Sequence, residues 1–534
     1  MKQKLKIGIL LDNYSISYFV KDIIIWLKEN SNKFDVNDYI ILKRNRPVFE
    51  KFITRKIYKK VCFRFISIIE RLILKISKYR IYLKTYNIRN FLNNQLVVTI
   101  NPSDDEFISK NSIKDIREKK YDILLRFSSS ILKGDILNSS KYGVISFHHG
   151  DNKHYRGSPA GFWEVLHRKN STGFIIQKLT SDLDNGDIFF KGWVQTKFFY
   201  LLNQIELYRK SNFYLKKTLE NIFDEKDAVL PKSGRPGPIY EIPGILKQIK
   251  YIFTTIGHLI KKYFVKRYNY KLAYSSSVDK SLQNIKIKII QPEKNTFLAD
   301  PFLFKFNNKL YCFAEEFDKK LKKGKIVSFL ISDGQFTQKT ISLEESFHLS
   351  FPFIFSYNDQ VFLCPDTSAL NEIRIYRSII FPSKWVFEKT LIKNIKATDT
   401  MIFKKDNIFW LLTNIDRSNT DDFSHDLSIF YSFESPISDK WEEHILNPIS
   451  TNSLRSRNAG LINLNDNFYR VSQKQGFDRY GLDFSINKIE NINKERYLEF
   501  EDKTLDSNLK ENLKKYQNIH HLSILDNNIV FDFE

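Results

Sequence analysis

The chain has 534 residues, 84 Lys and Arg against 61 Asp and Glu, a net charge of +23, and 15% aromatic residues. At roughly 100–200 residues per domain this length holds two to four domains, and the aromatic content with scarce Gly and Pro excludes a disordered or low-complexity chain. Three cysteines, Cys62, Cys312 and Cys364, stand far apart without a C-x-x-C, which indicates neither a disulfide framework nor a structural zinc site and fits a reducing compartment.

Residues 1 to about 230 alternate strand-like and helix-like segments. Strands are expected at 6–11, 39–42, 95–100, 121–126 and 143–148 and a helix at 16–29, an alternation that implies a parallel sheet with crossover helices. The opening apolar run stops at Asp12, too short for a signal-peptide core, and Lys or Arg interrupts every longer apolar stretch, so a cytoplasmic chain is expected. The turn after the first strand, Asp12-Asn13-Tyr14-Ser15-Ile16, has no glycine, which argues against a G-x-G-x-x-G site for NAD or FAD.

The positive charge is concentrated. Between Lys43 and Arg89 fifteen Lys/Arg meet only Glu50 and Glu70, and residues 246–271 add seven more with no acid, so the two segments hold 20 of the 23 net charges. Large apolar residues recur in both at spacings of three and four, which predicts helices with an apolar stripe and a basic face. Two readings stay open: attachment to the inner, anionic surface of a membrane, or packing on their own domains with the basic face solvated. No nucleic-acid-binding module is recognisable, so nucleic acid is not an expected partner.

Three prolines and two glycines in residues 231–240 mark a linker, followed by the second basic segment. From about 270 the chain turns to short aromatic-rich strands, with no long helix expected. Phe302-Leu-Phe-Lys-Phe-Asn-Asn-Lys-Leu-Tyr-Cys-Phe313 has counterparts beginning at Phe353, Thr400, Gly460 and His521, offset by 51, 47, 60 and 61 residues. Each reads as strand, Asn/Asp-rich two-residue turn, strand, and five such hairpins predict a five-bladed β-propeller.

In the first half, Gly143-Val-Ile-Ser-Phe-His-His-Gly-Asp-Asn-Lys-His-Tyr-Arg-Gly157 gathers His, Asp and Asn at the end of a strand, where open α/β sheets bind ligands. Asp184 follows His148 by 36 residues, and a His–Asp pair on neighbouring loops can polarise a carbonyl and shuttle protons.

These blocks resemble the formyltransferases that use 10-formyltetrahydrofolate. The family pattern runs N-x-H, a loop, R/P-G, T-G-x-T-x-H and L-D-x-G-x-I. Here stand Ser146-Phe147-His148, Arg156-Gly157, Thr172-Gly173-Phe174-Ile175-Ile176-Gln177 and Leu183-Asp184-Asn185-Gly186-Asp187-Ile188, and residues 121–134 look like the folate-side strand and loop. The resemblance implies that His148 stabilises the oxyanion developing on the formyl oxygen and that Asp184 takes the amine proton and orients His148. It places the folate against Arg126, Phe127, Ser128, Ser129, Ser130 and Asp182. Ser146 stands where the family has Asn; either Ser146 substitutes with a water, Asn152 on the same loop replaces the amide, or activity is lost. Asn152 and His149 are the candidate substrate contacts.

Residues 298–500 resemble the N-terminal domain of plant glucosamine inositolphosphorylceramide transferases, itself related to five-bladed glycosidase-type propellers. The residues that carry this include Ala299-Asp-Pro-Phe302, Glu315-Glu316, His348-Leu-Ser-Phe-Pro-Phe353, Pro365-Asp-Thr367, Asp399-Thr400, Arg457-Asn-Ala-Gly460 and Tyr480-Gly481. Asp300, Glu315, His348, Asp366, Asp399, Arg457 and Gln473 recur near hairpin ends and are expected to converge on one polar, carbohydrate-binding pocket.

The expectation is thus a multidomain chain: an α/β Rossmann-like formyltransferase domain at 1–230 with a basic helical insertion at about 43–92, a linker and basic helical connector at 231–270, and an all-β five-bladed propeller at 271–534. Together the resemblances imply formyl transfer from 10-formyltetrahydrofolate to an amino sugar, nucleotide- or lipid-linked, in surface-polysaccharide assembly such as that of lipopolysaccharide, with the propeller recognising glycan. No metal is expected. The alternative is a glycoside hydrolase or glycosyltransferase in the propeller beside a degenerate formyltransferase-like module.

Overall fold

The computed structural model describes residues 2–44, 54–89, 94–100, 108–182, 184, 186–226, 237–264, 269–276 and 287–534. The Pro/Gly-rich stretch at 231–236 and residues 45–53 of the basic insertion lie outside them. The chain divides into two units, Met1–Ile260 and Lys261–Glu534.

The first unit is built on a seven-stranded sheet in the order Asp187–Gln195, Ser171–Lys178, Val144–His148, Ile123–Arg126, Leu5–Leu11, Phe34–Arg44, Asn94–Ile100. The last five are parallel, and Ser171–Lys178 runs antiparallel to both its neighbours, so Asp187–Gln195 at the edge runs with the five. Successive side chains of a strand point to opposite faces. Accordingly Ile7, Ile9, Tyr39, Ile41, Ile123 and Leu125 belong to one core, and Leu10, Ile40, Leu42, Leu124 and Val144 to another. Both faces are covered, as an apolar parallel sheet requires. Helices α1 (Tyr18–Glu29), α2 (Thr54–Lys75), α3 (Lys110–Glu118), α4 (Phe162–Leu166) and α5 (Tyr200–Asp224) connect or cover these strands. The α1 helix starts two residues later than the apolar pattern suggests. Residues Ser15–Ser17 pair with Thr85–Asn87, and the Ser17 hydroxyl then caps the helix by accepting from Val20 N–H. A sixth helix, α6 (Ile245–Phe264), follows the Pro/Gly stretch.

The second unit contains five antiparallel sheets, the blades of a propeller. Four are continuous in sequence, opening at Thr296–Phe306, Ser350–Tyr357, Ala397–Lys405 and Arg457–Leu464. The fifth joins Leu522–Leu525 and Asn528–Phe533 to Lys271–Ser275 and Lys288–Ile290. Pairing both ends of the unit in one blade closes the ring and leaves no open seam. Neighbouring innermost strands touch all the way round, from the first blade through the fifth and back to the first.

Four hairpin turns place both central residues at positive φ: Asn307-Asn308, Asn358-Asp359, Asp406-Asn407 and Asn465-Asp466. This is the mirror-image turn whose twist suits a hairpin, and Asn and Asp tolerate it best after glycine. One helix, α7 (Lys503–Leu513), interrupts the otherwise all-β expectation, capped at Asp502 and anchored by buried Leu509 and Leu513.

Candidate functional site

The order of the first unit's sheet reverses at Leu5–Leu11 and Ile123–Arg126, and ligands of open α/β sheets bind outside the carboxyl ends of strands at such a point. The two strand ends are tied there: Ser129 N–H donates to Asp12 Oδ2 at 2.8 Å. The Arg126 guanidinium turns back onto the Ser130 carbonyl at 2.9 and 2.6 Å and donates to Ser146 Oγ at 3.2 Å. Ser146 is therefore buried and engaged by Arg126. The Phe127 ring lies 6.2 Å from that of Phe147. Between Arg126 and Ser130, Ser128 is buried, and its hydroxyl has no hydrogen-bond partner among the described residues.

His148 ends its strand with Nδ1 3.3 Å from Asp184 Oδ1 and Nε2 2.9 Å from the Tyr155 carbonyl. Asp184 sits at φ +52°, a conformation Asp adopts more readily than most residues, and its Oδ2 accepts the Gly157 N–H at 3.0 Å. Burial works against a charge on His148, but the Asp184 carboxylate and the Tyr155 carbonyl outweigh it and lift the imidazole pKa above its ordinary value. Burial also opposes ionisation of Asp184; His148 and the Gly157 amide overcome it and hold the carboxyl below its usual range. The Tyr155 carbonyl can only accept, and an ionised Asp184 likewise, so both contacts and the direction of the two shifts favour a ring that carries a proton on each nitrogen.

Close backbone approach keeps the loop over His148. A Cβ on Gly150 would lie 2.8 Å from His148 Nε2 and against the Tyr155 carbonyl. Gly157, at φ +86°, pairs with Tyr240, whose carbonyl leaves no room for a side chain. The Tyr240 ring packs on Tyr155 and Trp163 with centroids at 5.3 and 4.7 Å. The two-residue strand Ile239–Tyr240 thus clamps the loop, with Nε2 of His148 occupied by Tyr155.

On the same loop, Asp151 pairs with Lys191 Nζ at 2.6 Å and accepts from Trp193 Nε1 at 3.2 Å, and Asn152 Oδ1 accepts from Lys191 at 3.1 Å. Gly173 permits this, since a Cβ there would lie 2.9 Å from that of Asp151. His149 packs elsewhere: its ring lies 4.9 Å from Phe147 and 4.2 Å from Tyr208 of α5, and Nε2 meets Ser211 Oγ at 2.9 Å. Burial, then the charge of His148, lowers its pKa to about 3, so His149 is neutral. Asp182 is exposed.

Glu164 is a further titratable group beside the site, outside the sequence motifs. It is 2% exposed in α4 with Oε1 unpartnered among the described residues, and burial raises its carboxyl to about 7 despite the nearby His148 charge. The available signal was one acid inside the apolar run Phe162–Leu166.

In the second unit the first four blades share a device. The innermost strands carry Asp300, Phe351, Asp399 and Gly460 at positive φ, each within a break in register with the next strand. Such a bulge re-aims the side chain at its position. Asp399 pairs with Arg457 Nε at 2.6 Å, and Arg457 lies 4.8 Å over the Tyr480 ring. Asp300 lies 3.6 Å from His520 Nε2, and His348 Nε2 lies 3.8 Å from Glu315. Burial raises the carboxyls of Asp300 (to about 7), Glu315, Asp366 and Asp399, the acids reinforcing one another, while Arg457 and His520 partly offset this at Asp300. The cluster reaches solvent through His348, whose side chain is 40% exposed. Gln473 is buried and accepts from Gln475 at 2.6 Å. Asp300, His520 and Asp532 set ligand atoms within 4.8 Å of one another, but Asp532 is already engaged by His520 Nδ1 at 2.7 Å and by the backbone N–H groups of Asp300, His520 and His521. That arrangement ties the closing blade to the first.

A family model described as glucosamine inositolphosphorylceramide transferase 1, N-terminal, matches residues 287–527. The second unit is similar to that plant region. Glucosamine inositolphosphorylceramide transferase 1 of Arabidopsis thaliana is 34% identical over 212 residues, 39% of this chain and 27% of the relative, so the chain spans about a quarter of that protein's length. Among solved structures, a sugar N-formyltransferase from a Shewanella species is 17% identical, covering 47% of this chain and 87% of its own, with a TM-score of 0.29. Glycinamide ribonucleotide transformylase 1 from Symbiobacterium toebii is 11% identical over 44% of this chain and 95% of its own, with a TM-score of 0.30.

Proposed function

We propose that the first unit transfers a formyl group from 10-formyltetrahydrofolate to the amine of an amino sugar, nucleotide- or lipid-linked, in surface-polysaccharide assembly, and that the second unit recognises glycan. The observation that carries this is the pair of buried His148 and half-buried Asp184 at the carboxyl end of a strand, beside a loop whose buried Ser128 hydroxyl lacks a partner among the described residues. That hydroxyl and the backbone of residues 126–130 suit a flat, polar-edged ring, so the residues present fit the cofactor. When bound, the folate supplies a formyl group at the oxidation level of formate.

Asp184 is ionised and fixed by the Gly157 N–H, so it can take a proton from an approaching amine, directly or through a water. The charge it stabilises on His148 keeps that ring a donor. Such a donor stabilises developing negative charge by several kcal/mol, roughly 3 in measured oxyanion sites. Its Nε2–H is held by the Tyr155 carbonyl, so His148 reaches a reacting oxygen only when the loop carrying Tyr155 shifts. A panel of nucleotide-linked and lipid-linked amino sugars, scored by release of tetrahydrofolate, tests the reading. Turnover by the native chain and none by a folded His148→Asn variant supports it; turnover by neither refutes it.

A second reading is favoured by the cluster in the second unit. Three buried carboxyls and the partly buried Asp300, all raised by burial and Asp300 to about 7, beside Arg457 suit a protonated acid working with an ionised partner in glycoside hydrolysis or glycosyl transfer. Glycan turnover that survives His148→Asn and is lost in Asp300→Asn separates this reading from the first.

A further inference from the structure

Two helices of the first unit each present three sectors. One sector of α2 is buried: Phe63 packs on Phe162 and Tyr200 at 5.2 and 5.4 Å, and Glu70 accepts from Leu201 N–H at 2.7 Å and from the Tyr251 hydroxyl of α6. At 100° per residue a second sector holds Val61, Phe65, Ile69 and Leu72, which are 55, 64, 45 and 55% exposed, and Ile76, one residue past the helix end, is 91% exposed. Between the two, the third sector carries Lys60, Arg64, Arg71 and Lys75, all exposed.

The α6 helix repeats the plan. Tyr251 is buried 5.0 Å from the Phe162 ring and donates to Glu70, so both helices rest on the same support. Leu246, Ile249, Phe253, Ile256 and Ile260 are 82, 43, 71, 48 and 53% exposed along one stripe, flanked by exposed Lys247 and Lys250. A soluble fold leaves single apolar residues exposed as a matter of course, but two continuous stripes of Ile, Leu and Phe imply an occupant.

Charge selects that occupant. Glu70 is the only acid in either helix and is itself buried, so every exposed charge on them is positive. A second copy would set Lys and Arg against Lys and Arg, whereas a bilayer with anionic headgroups offers hydrocarbon to the stripe and phosphate to its flank. Among the described residues no helix is long and apolar enough to cross a membrane. We propose that α2 and α6 dock the first unit on an anionic lipid surface, their apolar stripes entering the headgroup boundary and their Lys/Arg flanks meeting lipid phosphates. An acceptor carried on a lipid would then be met in the plane of the membrane.

The full chain is tested by sedimentation with phosphatidylcholine vesicles, with and without phosphatidylglycerol. Binding is expected with phosphatidylglycerol and is weakened by salt. The double variant Phe65→Ser/Phe253→Ser should lower partitioning at least about tenfold, and Arg64→Gln/Lys75→Gln about 30-fold. All four side chains are exposed, so circular dichroism should show the native fold in both variants. Absence of binding by the native chain, or equal binding to neutral vesicles, overturns the proposal. So does a dimer in light scattering that the Phe65→Ser/Phe253→Ser variant dissociates.

Discussion

Replacing Glu164 by Gln should stabilise the first unit in alkaline but not in acidic solution. Burial lifts this carboxyl from 4.5 to about 7, so between those values the folded chain holds a proton that the unfolded chain has released. Each pKa unit corresponds to about 1.4 kcal/mol, giving about 3 kcal/mol in full. The folded state binds more protons across the window, so native stability falls as pH rises through it and stays lower above. Gln imitates the neutral acid at every pH. The variant should match the native chain near pH 4.5 and exceed it by about 3 kcal/mol at pH 8, with roughly 2 of those arising between pH 5 and pH 8. For a unit of residues Met1–Ile260, about 2–4 °C per kcal/mol makes the gain at pH 8 about 6–12 °C. Calorimetric melts of the full chain at the two pH values resolve it. An equal gain at both, or none at pH 8, would refute the burial argument.

His148 carries the opposite sign. Its raised pKa contributes stability that is present below the ordinary histidine value of 6.5 and lost as pH rises through the folded value, so in urea titrations His148→Gln should lose more stability at pH 6 than at pH 9. Gly173→Ala forces a Cβ onto Asp151 and should lower the urea midpoint by about 1–3 kcal/mol of stability. Arg457→Met leaves the Asp399 carboxylate buried and unpaired, a loss of about 3–5 kcal/mol in the second unit's melt that adding Asp399→Asn should largely relieve.

Local rules made much of the fold legible. The propeller hairpins follow from Asn and Asp at paired positive-φ positions, and the parallel sheet from apolar runs alternating with helical segments. The closing of the fifth blade was not legible, because Lys271–Ser275 and Asn528–Phe533 meet across the whole unit and no local signal joins them. Nor was α7, which carries polar residues at most positions and few apolar anchors. At the candidate site, His148 and Asp184 stand out as chemistry at the end of a strand and in the following loop. The Tyr155 carbonyl on Nε2 does not, since any residue type supplies one. Glu164 gains its character from burial alone. The basic helices could be read from charge and spacing, but which apolar residues dock and which stay exposed depends on Phe162 and Tyr200, more than 80 residues downstream of the start of α2.

The central claim is that the first unit holds a reduced folate beside His148. Calorimetric titration of a hydrolysis-resistant 10-formyltetrahydrofolate analogue into the full chain tests it most directly. The account predicts saturable binding that Ser128→Ala weakens about tenfold, the worth of one hydrogen bond, and that Asp399→Asn in the second unit leaves unchanged. No binding by a chain that melts cooperatively would contradict it and move the search for activity to the carboxyl cluster of the propeller.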